Sequence, residues 1–151
     1  MKIFVDADSC PRLARELVMR AAKRLRIEAV FAANRPIPSV EGEFLVMELC
    51  PEGQGMADDR IVEQAQEGDI AITRDVPLAA RLAANSVVVL DDRGRIFDRN
   101  NIRQLLSLRD FQVKLAENGL ETLRFSSYGK RELKTFADSF DRLTRKLSAK
   151  K

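Results

Sequence analysis

With 151 residues, 45% of them hydrophobic and 32% charged, the chain has material for one soluble α/β domain with a real core, and no apolar run approaches the ~20 residues that span a bilayer. It contains no histidine, which excludes Ser-His-Asp and Cys-His catalysis and His-ligated zinc; with 23 acidic residues, chemistry falls to carboxylates and oxygen-ligated Mg²⁺ or Mn²⁺. The net charge of +3 hides an asymmetry, because residues 124–151 carry nine basic against three acidic residues, a positive arm that suits a polyanion or a solvated helix face.

The opening, K-I-F-V-D-A-D-S-C-P at 2–11, is a short apolar strand that ends in Asp6 and Asp8 and turns at once into a helix. Ser9 or Cys10 is expected to cap that helix, with Pro11 in its first turn, where a missing N–H costs nothing. The two acids interrupt any apolar core of a secretion signal, so a cytoplasmic location is expected. Over 11–25, Leu13, Leu17, Val18, Ala21, Ala22 and Leu25 recur at helical spacing as one apolar stripe. A second strand covers 28–33 and a third 44–47, separated by Asn34-Arg35-Pro36 and a proline-stiffened loop. Gly53 and Gly55 lie in a loose loop with no Lys-Ser/Thr after them, so they do not form a phosphate loop.

Ala57-Asp58-Asp59 opens the next helix, which carries Ile61, Val62 and Ala65 on one face. Spacing extends that buried face to Asp58, while Asp59 is expected to cap. A fourth strand at 70–73 ends in Thr73-Arg74-Asp75 and again meets a helix-starting proline, Pro77. This repeats the grammar of the opening. A fifth strand spans 87–90, and 91–95 reads as a hairpin or bulged turn leading into Ile96-Phe97. The rest, 100–151, reads as a helical extension packed on the single domain: two helical turnfuls stopped at Asn118-Gly119, then an amphipathic helix over 130–146 capped by Ser126 or Ser127. The stripe of that last helix, Leu133, Phe136, Ala137, Phe140, Leu143 and Leu147, is expected to dock on the core, with a homodimer surface as its second use. Cys10 and Cys50 lack metal-ligand spacing and are expected to be reduced thiols.

Strands alternating with helices imply a mainly parallel sheet of about five strands. If the first strand lies between the second and the fourth, the ends of the first and fourth face each other at the switch point where such sheets bind ligands. Asp6 and Asp75 meet there, Asp58 approaches from its helix, and Asp8 sits in the loop above. Two unit charges ~4 Å apart cost about 4 kcal/mol at an effective dielectric near 20, so such a cluster calls for protons, basic partners or hard cations. Thr73 is placed to orient Asp75 or a water, or simply to fill a strand position.

The segments V-D-A-D-S-C-P at 5–11, A-N at 33–34, A-D-D at 57–59 with Ile61-Val62, G-D-I-A-I-T-R-D-V-P-L-A-A at 68–80 and I-R-Q-L-L-S-L-R-D-F at 102–111 resemble the bacterial YaiI/YqxD family over nearly the whole chain. That family resembles a branch of the PIN-like nucleases, which share a Rossmann-like sheet and a carboxylate cluster for Mg²⁺ or Mn²⁺. The resemblance implies a three-layer PIN-like domain, with Asp6, Asp58 or Asp59, and Asp75 as metal-binding acids and Asp8 as a fourth. PIN nucleases generally carry a further acid near the end of a later strand; Asp91 or Asp92 is the nearest candidate here.

The leading expectation is a Mg²⁺- or Mn²⁺-dependent nuclease acting on RNA. Asp6, Asp58 and Asp75 are its catalytic, metal-binding acids, and Asp8, Asp59 and Thr73 support them. Asn34, Arg74, Arg103 and Arg109 are the candidate substrate contacts. A non-catalytic RNA-binding or adaptor protein is the alternative. A phosphatase of the haloacid dehalogenase type, suggested by D-A-D, is the third; it fits poorly because Asp69 precedes a strand and no suitable lysine is evident.

Overall fold

Ile3, Phe4 and Val5 are all buried, as a continuous apolar run requires of an inner parallel strand covered on both faces. The computed structural model describes residues 1–53, 55–117 and 127–149, and it sets this strand, β1 (Ile3–Asp6), inside a six-stranded sheet. The following elements are α1 (Arg12–Leu25), β2 (Ala29–Ala33), β3 (Leu45–Leu49), α2 (Met56–Gln64), β4 (Ile70–Ile72), α3 (Val76–Ala84), β5 (Val88–Leu90), β6 (Ile96–Phe97), α4 (Ile102–Glu117) and α5 (Lys130–Ser148). The strand order is β3-β2-β1-β4-β5-β6, parallel except for β6, which returns antiparallel to β5. β1 thus lies between β2 and β4, as expected.

The period-two alternation of the strands sorts the core into two halves. Ile3, Val5, Phe31, Ile70, Ile72 and Leu90 pack with residues of α1 and α5. Phe4, Val30, Ala71, Val89 and Phe97 pack on the other side with α2, α3 and α4. The result is a helix–sheet–helix sandwich, in which each fully buried large apolar side chain contributes on the order of 2 kcal/mol. Among the described residues no helix is long and apolar enough to cross a membrane.

The structure departs from the sequence expectations at several edges. Six strands replace about five, because Asp91 folds the 91–95 turn tightly: its Oδ1 accepts the N–H groups of Arg93 (2.9 Å) and Arg95 (2.8 Å), and Ile96-Phe97 then returns beside β5. Pro11, with φ −60° and ψ 148°, is itself the N-cap of α1, and Ser9 turns its hydroxyl back to Asp6 instead of capping. The apolar face of α1 is rotated toward Ala14, Val18, Ala21 and Ala22, which leaves Leu13 and Leu25 exposed. The two turnfuls after residue 100 are one helix, α4, started by a reciprocal pair in which Asp98 Oδ1 accepts the Asn101 N–H and Asn101 Oδ1 accepts the Asp98 N–H. The expected stop at Asn118-Gly119 lies outside the described residues, as does Ser126.

α5 is capped at Gly129, not at Ser127; the Gly129 N–H donates to Glu132 at 3.0 Å. Its stripe docks on the core as expected, with Phe136 stacked on Phe140 at 5.7 Å and both buried. The helix comes so close to the 91–95 turn that a Cβ on Gly94 would lie 2.8 Å from the Thr135 carbonyl oxygen, and the Ser139 hydroxyl donates to the Gly94 carbonyl at 2.8 Å. Gly94 also has φ +88°, so both space and backbone select glycine there.

Candidate functional site

The parallel strands all end at one edge of the sheet, and the chain reverses its direction of travel between β1 and β4, the place where open α/β sheets form a crevice. Val5 pairs with Ile72, so the next residues, Asp6 and Thr73, stand side by side. Alternation points both toward the layer of α2 and α3, on the side of Phe4 and Ala71. Asp6 is 6% exposed and Thr73 2%.

The hydrogen bonds fix this pair. The Thr73 hydroxyl donates to Asp6 Oδ2 at 2.7 Å and accepts the Asp75 N–H at 3.0 Å. The Ser9 hydroxyl donates to the same Asp6 oxygen at 2.8 Å. Thr73 therefore orients Asp6, whereas the sequence pointed to the Asp75 carboxylate as its partner. Asp75 has a second duty as N-cap of α3, where its Oδ1 accepts the Leu78 N–H at 3.1 Å. Each acid keeps one oxygen outside these bonds, Oδ1 of Asp6 and Oδ2 of Asp75.

Asp58 enters from the first turn of α2, which packs against β1 and β2. Its carboxyl is pushed up to about 6, first by burial and then by the charges of Asp6 and Asp75. Asp6 is also held above the ordinary carboxylate range: burial outweighs the two hydroxyl bonds that stabilise its anion, and Asp75 and Asp8 add to the upward push. Three acids from three elements thus act on one another across one crevice.

The remaining predicted residues divide sharply. Asp59 does not cap α2, whose N-cap is Gly55; it points outward and pairs with Arg81 on α3 at 2.9 Å. Asp8 ties the β1–α1 loop to the end of β2, accepting the Asn34 N–H at 3.2 Å and pairing with Arg35 at 3.6 Å. Asn34 joins the site edge through its backbone. Arg74 is paired with the buried Asp92. Arg103 and Arg109 are exposed on α4, where Arg109 pairs with Asp110, and neither is brought to the acids. Of the two later acids, Asp91 is consumed by its own turn and Asp92 by Arg74.

Sequence reasoning missed Ser9 as a site residue and Asp92 as an arginine partner. The D-x-x-S spacing of Asp6 and Ser9 signals the first, since a hydroxyl three residues on can return to the carboxylate. Cys10 is buried, and burial together with the Asp92 charge pushes its thiol up to about 12, so it stays a protonated, packed group. A shallow groove of about 300 Å³, lined by Leu17, Arg20, Ala21 and Arg24, lies on the later turns of α1, which run back toward the opposite edge of the sheet.

The donor set is oxygen-only, the set that suits Mg²⁺ or Mn²⁺. Among the described residues no group of three or more aspartate, glutamate, cysteine or histidine side chains is arranged to hold a metal ion. A hydrated Mg²⁺ ion needs no such cage, because one or two carboxylates and its own waters complete its shell.

The family model described as "Uncharacterized BCR, YaiI/YqxD family" matches residues 4–146. A UPF0178 protein of Psychrobacter cryohalolentis is 44% identical over 149 residues, covering 96% of this chain and 100% of that protein. UPF0178 proteins of Treponema denticola and Myxococcus xanthus are 44% and 40% identical over 146 residues, covering 97% and 96% of this chain and 93% and 95% of those proteins. No solved structure matches. Matched along nearly its whole length by both the model and these relatives, the chain belongs to the YaiI/YqxD family.

Proposed function

We propose that this protein is a metal-dependent nuclease of PIN-like kind that cleaves phosphodiester bonds in RNA. One observation carries the reading: β1, α2 and the end of β4 bring Asp6, Asp58 and Asp75 to the switch point of a parallel sheet, and burial, joined by their like charges, raises Asp6 and Asp58 above the ordinary carboxylate range. Of the nearby cations, Arg74 is paired with Asp92, and Arg81, paired with Asp59, offsets only part of the charge around Asp58. A hard divalent ion offsets such repulsion and supplies a nucleophilic water and charge stabilisation at a phosphoryl centre.

The residues have separable parts. Asp6 and Asp75, each with one carboxylate oxygen outside the bonds described, would hold the ion. Thr73 and Ser9 hold Asp6 in one rotamer, which keeps those oxygens aligned as charge changes in the crevice. Asp58 stands furthest from its ordinary proton affinity and releases its proton when positive charge enters. The third reading of the sequence, a haloacid-dehalogenase-type phosphatase, loses ground here: Asp69 accepts the N–H groups of Lys2 and Gln66 at the start of β4, the far edge of the sheet from Asp6.

The test is hydrolysis of single-stranded RNA with Mn²⁺ by the wild type and by Asp6→Asn and Asp75→Asn. Cleavage by the wild type that both variants lack supports the proposal. Equal cleavage, or none, by all three overturns it, and salt-sensitive RNA binding without cleavage would favour the adaptor reading.

A further inference from the structure

The cation closest to the acids in the chain is not aimed at them. Arg74 lies between Thr73 and Asp75 in the bend just past the end of β4. There its Nη2 group pairs with Asp92. The partners are unequal: the Asp92 side chain is 5% exposed and that of Arg74 45%. The acid is thus a buried anchor, and the arginine offers its other N–H groups outward.

Asp92 is held from behind by α5 and the residues that lead into it. The Tyr128 hydroxyl donates to the Asp92 carbonyl at 2.7 Å. The Arg93 guanidinium lies 5.9 Å from the centre of the Tyr128 ring and pairs with Glu132 at 3.8 Å. One residue further on, Gly94 receives Ser139. The pair also borders the candidate site, because Arg74 stands in the chain between Thr73, which bonds Asp6, and Asp75, the N-cap of α3. Burying a carboxylate against one half-exposed arginine adds little to stability compared with an apolar residue in its place. It does fix where the arginine stands.

We propose that Asp92 is a positioning residue that anchors Arg74 at the rim of the Asp6–Asp58–Asp75 crevice as a phosphate-binding cation for single-stranded RNA, with Tyr128 holding Asp92 in place. The proposal rests on the reading of the crevice as an RNA site. Acids alone repel a phosphodiester, and one fixed cation beside them decides where the strand lies.

The experiment measures binding of a short single-stranded RNA in chelator-containing buffer across a salt series, so that no cleavage is needed for a result. Arg74→Gln is expected to weaken binding about tenfold and to lower the salt slope by about one. Arg74→Lys restores the slope but not the affinity. The double variant Arg74→Gln/Asp92→Asn carries no unpaired buried charge and should match Arg74→Gln, while Tyr128→Phe weakens binding less, by about twofold to threefold. Where wild type cleaves with Mn²⁺, Arg74→Gln raises KM and leaves kcat nearly unchanged. Unchanged affinity and slope in Arg74→Gln would overturn the proposal, as would absence of wild-type RNA binding. So would an Asp92→Asn variant that needs more Mn²⁺ for cleavage yet binds RNA normally, since that would make Asp92 a metal ligand. Wild type that binds but never cleaves removes the nuclease reading alone, and the binding series still decides the role of Arg74.

Discussion

Two buried aspartates sit at opposite ends of the same pair of strands. Asp69 precedes β4 and accepts backbone N–H groups from Lys2 at 2.8 Å and Gln66 at 2.9 Å. Asp6 ends β1, accepts among the described residues the hydroxyls of Ser9 and Thr73, and feels the charges of Asp75 and Asp58. Their exposure is much the same, 9% and 6%. Similar burial thus leaves the two carboxyls in different surroundings, Asp69 among backbone donors and Asp6 among hydroxyls and like charges. Asp69 closes a joint between the first residues of the chain and the turn before β4. Asp6 is left with charge to spare.

Exchanging each for asparagine should split the two ends most widely. Asp6→Asn is expected to lower Mn²⁺-dependent RNA hydrolysis by on the order of 100-fold or more while leaving the urea midpoint unchanged or raised, because a neutral amide relieves the repulsion. Asp69→Asn should do the reverse. Its amide can replace only one of two acceptor oxygens, so stability falls by about 1–3 kcal/mol while hydrolysis per folded molecule is unchanged. Urea unfolding and initial cleavage rates on both variants check this, and matching profiles would erase the distinction.

Thr73→Val comes next in size. It strands the Asp75 N–H and removes a donor from Asp6, which should cost about 1–3 kcal/mol and raise the Asp6 proton affinity further, as followed by carboxyl NMR titration. An Asp6 titration unmoved by the change would mean that the hydroxyl does not orient that carboxylate.

The pH dependence follows from Asp58, whose carboxyl rises from 3.8 to about 6. A raised acid favours the protonated folded state, so its contribution to the metal-free protein is full below about pH 4 and is lost as pH climbs through about 6. The Asp58→Asn variant should lack this decline, a comparison best made by thermal melts between pH 4 and about pH 7. Metal affinity has the opposite sign, growing as pH passes through about 6, because the ion competes with that proton. Asp59→Ala should show the least of all. Its exposed pair with Arg81 is worth less than about 0.5 kcal/mol, and hydrolysis should not change. A large loss of cleavage there would transfer the role of Asp58 to its neighbour.

Much of this was legible in the sequence, for stated reasons. β1 and β4 announce themselves as apolar runs ending in acids beside helix-starting prolines, and their adjacency follows from the ordinary winding of parallel sheets. The inward turn of Asp58 follows from helical period alone, whereas Asp59, expected to cap α2, instead pairs with Arg81. Side-chain pairing across the fold did not follow. Nothing local tells that Thr73 reaches Asp6 across 67 positions in the chain, or that Arg74 pairs with Asp92. Edges failed where short-range rules compete: β6 is two residues long and exists because Asp91 closes its turn, and α1 is rotated because alanines pack closer to the sheet than Leu13 can.

Anomalous diffraction from crystals soaked in millimolar Mn²⁺ would locate the ion outright. A peak within bonding distance of Asp6 Oδ1 or Asp75 Oδ2, with Asp58 reached directly or through one water, is the predicted result. A crevice with no peak, or an ion bound instead at Asp91 or Asp92, would contradict it.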